Sequence, residues 1–167
     1  MPYRNKTYIC FDGDSDMRSY QLMRAWHANE KFSFEFLNAH DLNTARDSSE
    51  EESIKRQLRE RFANSSEFVV LIGARTRYLT KFVKWEMDVA IRLGLPIIGV
   101  NLNGSRQRDD LCPPAIRDEL AVYVPFGAKI VEHALSNWPA SHAKYKAERK
   151  SGPFYYVDNV YKSLGMN

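Results

Sequence analysis

The chain has 167 residues, 44% hydrophobic and 27% charged, with a formal net charge of +3. Such a composition suits one ordinary globular domain that buries about two-thirds of the surface its unfolded chain exposes. No apolar run approaches the roughly 20 residues of a membrane span, and basic residues alternate with acidic ones instead of forming a nucleic-acid stripe. Met1-Pro2-Tyr3-Arg4-Asn5-Lys6 leads into no apolar signal core. A cytoplasmic protein is expected, with no membrane and no specific nucleic acid among its partners.

In chain order, Thr7 to Phe11 is a short β-prone run, which Asp12-Gly13-Asp14-Ser15-Asp16 ends. Met17, Tyr20, Met23 and Trp26 recur at helical spacing and predict a helix to about Asn29. Phe32 to Leu37 alternates as a strand does, and a polar loop, Asn38 to Ser49, follows. Ser49 with Glu52 has the form of a capping box, and Ile54, Leu58 and Phe62 carry the apolar stripe of the helix behind it. Phe68 to Ile72 is continuously apolar, as a strand covered on both faces requires.

After a basic loop, a helix is predicted from Thr80 to Leu93, with Gly94 as its stop signal. Pro96 to Leu102 reads as a buried strand, and Asn103-Gly104 opens a long polar loop through Pro114. Ala121 to Phe126 reads as a last strand, its proline suggesting an edge position. Lys129 to Trp138 is helical, with Pro139 expected to limit it. Strands alternating with helices predict an α/β, three-layer architecture: a central, mostly parallel, five-stranded sheet with helices on both faces. Residues 1–167 are read as a single domain with a core over about 6–138. The aromatic tail 139–167, with Phe154, Tyr155, Tyr156 and Tyr161, is expected to pack on that core.

Several chemistries leave marks that are missing. The chain has no Gly-rich P-loop with its Lys-Ser/Thr, and no glycine fingerprint follows the first strand. A phospho-accepting receiver domain needs an aspartate after the third strand, where Gly73-Ala74 stands. Cys10 and Cys112 form neither a disulfide framework nor a metal-binding spacing, so both are expected reduced, Cys10 in the core. The four histidines lack a nucleophile elbow. Asp12, Asp14 and Asp16 begin like a calcium loop, but Met17 and Met23 occupy the positions of its glycine and last carboxylate. The triplet is left with three readings: a cluster at a helix N-terminus, a Mg²⁺ site, or acids touching a ligand at the sheet's edge. No metal is assigned.

Phe82-Val83-Lys84-Trp85-Glu86 puts one carboxylate and two rings in the first turns of a helix directly after a loop. In α/β domains, such loops at the strand ends are where ligands are handled. Phe82, Glu86, Val89 and Leu93 share one stripe and Val83, Met87, Ala90 and Ile91 the next, so Glu86 borders an apolar face. Periodicity alone also allows a surface glutamate favoured by the helix dipole.

Phe82 to Glu86, the opening Tyr8-Ile9-Cys10-Phe11-Asp12, the loop Asn38 to Thr44, Asn101-Leu102-Asn103-Gly104 and Cys112-Pro113-Pro114 together resemble a TIR-like domain. The likeness runs over about residues 6–126 and is greatest to the bacterial TIR-like family that includes the TIR subunit of Thoeris anti-phage systems. It implies a flavodoxin-like fold and cleavage of the nicotinamide–ribose bond of NAD⁺, which is substrate and not cofactor. The product would be ADP-ribose or a cyclic ADP-ribose isomer that reaches a separate effector protein. It also implies self-association through TIR surfaces.

Enzymatic members often carry Trp-Cys-x-x-Glu. Here Glu86 matches, whereas Phe82 replaces the tryptophan, Val83 the cysteine, and Trp85 adds a ring. The resemblance makes Glu86 the expected catalytic residue. Phe11, Asp12, Asp14, Asp41, Phe82 and Trp85 are the expected substrate-binding residues, and Arg75, Arg77 or Lys81 are placed to meet a pyrophosphate. Two other functions remain open: a non-catalytic TIR-like assembly module, and a nucleoside deoxyribosyltransferase-like enzyme acting on another N-glycosidic bond.

Overall fold

A computed structural model describes residues 6–28, 35–37 and 51–166. In chain order its elements are β1 (Lys6–Cys10), α1 (Met17–Ala28), β2 (Glu35–Leu37), α2 (Glu51–Ala63), β3 (Glu67–Ile72), α3 (Phe82–Arg92), β4 (Ile97–Asn101), β5 (Ala121–Pro125), α4 (Ala128–Ala147), β6 (Pro153–Tyr155) and α5 (Asp158–Ser163). The strands form one sheet in the order β2-β1-β3-β4-β5-β6, and every neighbouring pair is parallel. The expected α/β architecture is present. Its first five strands have the flavodoxin-like order, and the C-terminal residues add a sixth.

Parallel strands buried on both faces must be apolar throughout, because each side chain alternates between two covered surfaces. Ile9, Val69, Leu71, Ile98, Val100, Val122 and Val124 share one core with Tyr20 and Met23 of α1 and Ile130, Val131 and Leu135 of α4. Tyr8, Cys10, Phe68, Val70, Ile72 and Tyr123 share the other with Ile54, Leu58 and Phe62 of α2 and Val83, Met87 and Ala90 of α3. The helical stripes read in the sequence are therefore the buried ones. Leu93 departs from them: the last member of the Glu86 stripe is exposed.

Gly94 ends α3 as expected, at φ +68°. Its N–H donates to the Ile91 carbonyl, and the Leu95 N–H donates to the Ala90 carbonyl at 3.1 Å. This is the paired closure of a Schellman motif, which calls for a left-handed residue. The capping box at Ser49, the strand residues Phe32 to Phe34 and the loop Asn38 to Ser49 lie outside the described residues.

Two expectations are corrected. Ala121–Pro125 is not an edge strand, because β6 pairs along it from Ala121↔Pro153 to Tyr123↔Tyr155. Pro125 is its last residue, so the missing N–H falls where the ladder ends. Pro139 does not stop its helix; it lies inside α4. A proline within a helix costs about 3 kcal/mol. Here buried side chains on both sides of it, Leu135 and Trp138 before and His142 after, offset that cost by packing.

Candidate functional site

A cleft of ≈ 390 Å³ opens at the C-terminal end of the sheet. Phe11, Asp12, Gly13 and Asp14, leaving β1, form one wall; Tyr78 to Val83, between β3 and the first turn of α3, form the other. β1 and β3 are neighbours, yet the chain leaves β1 for one face of the sheet and β3 for the other. The two exits diverge and leave a crevice, which is the ligand-binding position of open parallel sheets.

Glu86 lies one helical turn beyond the cleft-lining Phe82 and Val83, and it is 1% exposed. The surface-glutamate reading is thereby removed. Glu86 is not itself among the residues lining the cleft. The Tyr8 hydroxyl and the Cys10 thiol, both from β1, neighbour its carboxylate. Burial first, and the Glu86 charge second, push both groups up from their ordinary pKa values, so both keep their protons at neutral pH. A buried carboxylate is costly without such protic neighbours.

The Tyr8 ring stacks on Phe62 at 4.0 Å and 10° and on Phe68 at 5.6 Å, which holds its hydroxyl near Glu86. That hydroxyl is outside regular hydrogen-bond geometry. The Cys10 thiol donates to the Val83 carbonyl at 3.8 Å, tying β1 to the start of α3.

Asp12 lines the cleft at 2% exposure. Its Oδ1 accepts hydrogen bonds from the backbone N–H of Asp14 at 3.0 Å and of Ser15 at 3.4 Å, while its buried Oδ2 has no partner among the described residues. Asp16 stands at the start of α1, and its carboxylate packs against Gly73 so closely that a Cβ there would lie 2.3 Å from it. Burial, then the Asp12 charge, raises the Asp16 pKa, against an opposing effect of Arg75. The triplet thus divides: Asp12 organises the turn and borders the cleft, whereas Asp16 belongs to the start of the helix. Among the described residues no group of three or more His, Cys, Asp or Glu side chains is arranged to hold a metal ion.

Of the expected site residues, Phe11, Asp12, Asp14 and Phe82 come together around the cleft, and Lys81 joins them. Trp85 does not line it. Its ring packs edge-on to Phe62 at 6.3 Å, with Lys55 and Arg59 each 5.6 Å from its centre on the α2 side. Asp41 lies outside the described residues. Of the three basic candidates, Lys81 is at the cleft, Arg75 donates to Ser15 Oγ at 3.3 Å, and Arg77 donates to the Asp110 carbonyl.

Tyr8, Tyr78 and Val83 are additions that sequence reasoning missed. Tyr78 is 69% exposed on the cleft wall. An aromatic in the basic loop was the signal for it, but Tyr8 gives no signal until β1 is seen to cross beneath α3.

Residues 8–107, more than half of the chain, match the sequence family described as Thoeris protein ThsB, TIR-like domain. No curated protein matches. Among solved structures, the chain is similar to the crystal structure of a conserved protein from Enterococcus faecalis V583, at 15% identity over 98% of each chain, with a TM-score of 0.49. By its motifs, its strand order and that family match, the chain belongs to the TIR-like domain family of the Thoeris protein ThsB.

Proposed function

We propose that this chain is an NAD⁺-cleaving enzyme of anti-phage immunity, with Glu86 as its catalytic residue. The observation that carries the reading is the carboxylate of Glu86: almost fully buried, attended by Tyr8 and Cys10, one turn behind the wall of a cleft at the sheet's switch point. Breaking the nicotinamide–ribose bond expels neutral nicotinamide and leaves an oxocarbenium-like ribose. A carboxylate held close to that ring stabilises the developing positive charge, and a low-dielectric setting strengthens the effect. Asp12 borders the cleft, and its buried Oδ2, without a partner among the described residues, suits a ribose hydroxyl once the cleft wall shifts. Phe11, Phe82 and Tyr78 offer ring faces for the bases, and Lys81 offers a cation for the pyrophosphate.

Glu86 does not line the cleft in this conformation. Engagement of the ribose therefore requires Phe82 and Val83 to shift, so turnover by the free protein is low. Water capture then gives ADP-ribose, while capture by a hydroxyl of the same molecule gives a cyclic isomer that carries the signal to a separate effector. Incubation of wild type and Glu86→Gln with NAD⁺, with and without infected-cell lysate, tests the reading by mass spectrometry. Nicotinamide release that depends on Glu86 is expected, and an equally active Glu86→Gln variant would overturn it. Folded wild type with no turnover under any condition would leave self-association as an assembly module the better reading.

A further inference from the structure

At the opposite end of the strands from the cleft lies a second cavity, of ≈ 200 Å³. His142, Lys146 and Lys150, from α4 and its exit, face Leu95, Leu120 and Glu119 across it. His142 and Lys146 are four residues apart, so they share one face of the helix. Basic residues at a helix end usually point into water. Here His142 is buried, while Lys146 is exposed but has its ammonium at the cavity.

His142 is only 8% exposed. Its ring meets Trp138 edge-on at 6.2 Å, and among the described residues its nitrogens have no hydrogen-bond partner. The ring lines the cavity, and its nitrogens open onto that space instead of meeting a protein partner. Lys146 makes no ion pair among the described residues. Its ammonium lies against Gly94, 2.5 Å from where a Cβ would stand, and any side chain at that position would displace it. Lys150, by contrast, is paired with Glu148 at 3.0 Å and lies over the Tyr145 ring at 5.0 Å. The Lys146 ammonium and the His142 ring thus face one small space of mixed lining, with Leu95, Ile97 and Leu120 as its apolar part and Glu119 and Ser151 among its polar part.

We propose that this cavity binds a small organic oxyanion, a carboxylate or phosphate monoester with a short apolar body. The oxyanion meets Lys146 Nζ and the His142 ring, and the body lies against Leu95 and Leu120. Glu119, on the opposite wall, repels the anion and limits affinity. Burial, then the Lys146 charge, holds the His142 pKa below its ordinary value, so the empty site carries a neutral imidazole at neutral pH. An anion beside it favours the imidazolium, with Lys146, Lys150 and Glu119 as the other charged groups facing it. Binding therefore takes up a proton and tightens as pH falls.

The site does not involve the cleft or its chemistry, and it is tested by NMR of the His142 ring in the full chain, titrated with butyrate and with inorganic phosphate. A saturable shift is expected, with the His142 titration midpoint raised by about one pH unit at saturation. Lys146→Gln, at an exposed side chain, should weaken binding by at least about fivefold, and Glu119→Gln should tighten it about threefold. Saturation by phosphate alone would assign the site to the phosphate class. No saturable shift up to roughly 50 mM of either probe, where even a weak site is filled, would overturn the proposal. An identical response in Lys146→Gln would overturn it equally.

Discussion

Two buried glutamates stand at opposite ends of this sheet. Glu67 begins β3 and is fully buried; Thr7, its register partner on β1, donates to Oε2 at 3.2 Å, and Oε1 has no partner among the described residues. Burial pushes its pKa up to about 8, against a small opposing effect of Thr7. Glu86 is as deeply buried, but it lies behind the cleft wall with a phenol and a thiol beside it. Burial alone therefore does not mark a functional carboxylate. Both carboxylates have protic neighbours on β1; what separates Glu86 from Glu67 is a ligand-sized space within one helical turn.

The comparison breaks first on exchange of each carboxylate for its amide. Glu86→Gln is expected to lower nicotinamide release by at least about 100-fold, whereas Glu67→Gln retains wild-type rates; loss of activity in both would make the two sites equivalent. Stability separates them next. A carboxyl whose folded pKa is raised binds its proton more tightly in the native state. Its contribution is thus complete below the unfolded value of 4.5 and lost as pH rises through about 8. Denaturant titrations should show wild type losing roughly 3–5 kcal/mol across that window, and Glu67→Gln nearly none of it. A pH-independent wild type would remove Glu67 as a titrating group.

Smaller effects sharpen the picture of the Glu86 end. Tyr8→Phe keeps the stack on Phe62 and removes only the hydroxyl, so kcat should fall about tenfold with the melting temperature little changed. The two rings of the Glu86 motif should then part company. Phe82→Ala, at the cleft, should raise KM for NAD⁺ about tenfold, while Trp85→Ala should leave KM within about threefold and cost about 1–2 kcal/mol of stability through lost packing and cation–π contact. Equal KM effects would return Trp85 to the substrate site.

Apolar periodicity made most of the fold legible. Ile54, Leu58 and Phe62, the run Phe68 to Ile72, and Gly94 after α3 each announce their place, because helix faces, doubly covered strands and left-handed stops depend on local chemistry. The two misjudged prolines have the opposite cause. Pro125 suggested an edge and Pro139 a helix end, but packing against β6 and the core decided both. Local propensity is worth a few kcal/mol at most, and tertiary burial outweighs it.

By itself, then, the sequence determined the alternation of strands and helices, the parallel sheet, and the stretch from Phe82 to Glu86 at the start of a helix, since each follows from spacing along the chain. Which of those residues share a space was decided by tertiary structure. The β1–β3 divergence brings Phe11 and Asp12 opposite Tyr78 and Lys81, and the passage of β1 beneath α3 puts Tyr8 and Cys10 against Glu86. Rotation about α3 turns Trp85 toward α2, and α4 continuing beyond Pro139 carries His142 and Lys146 to the far end of the strands. Periodicity places a side chain on a face; only the neighbouring element determines what that face meets.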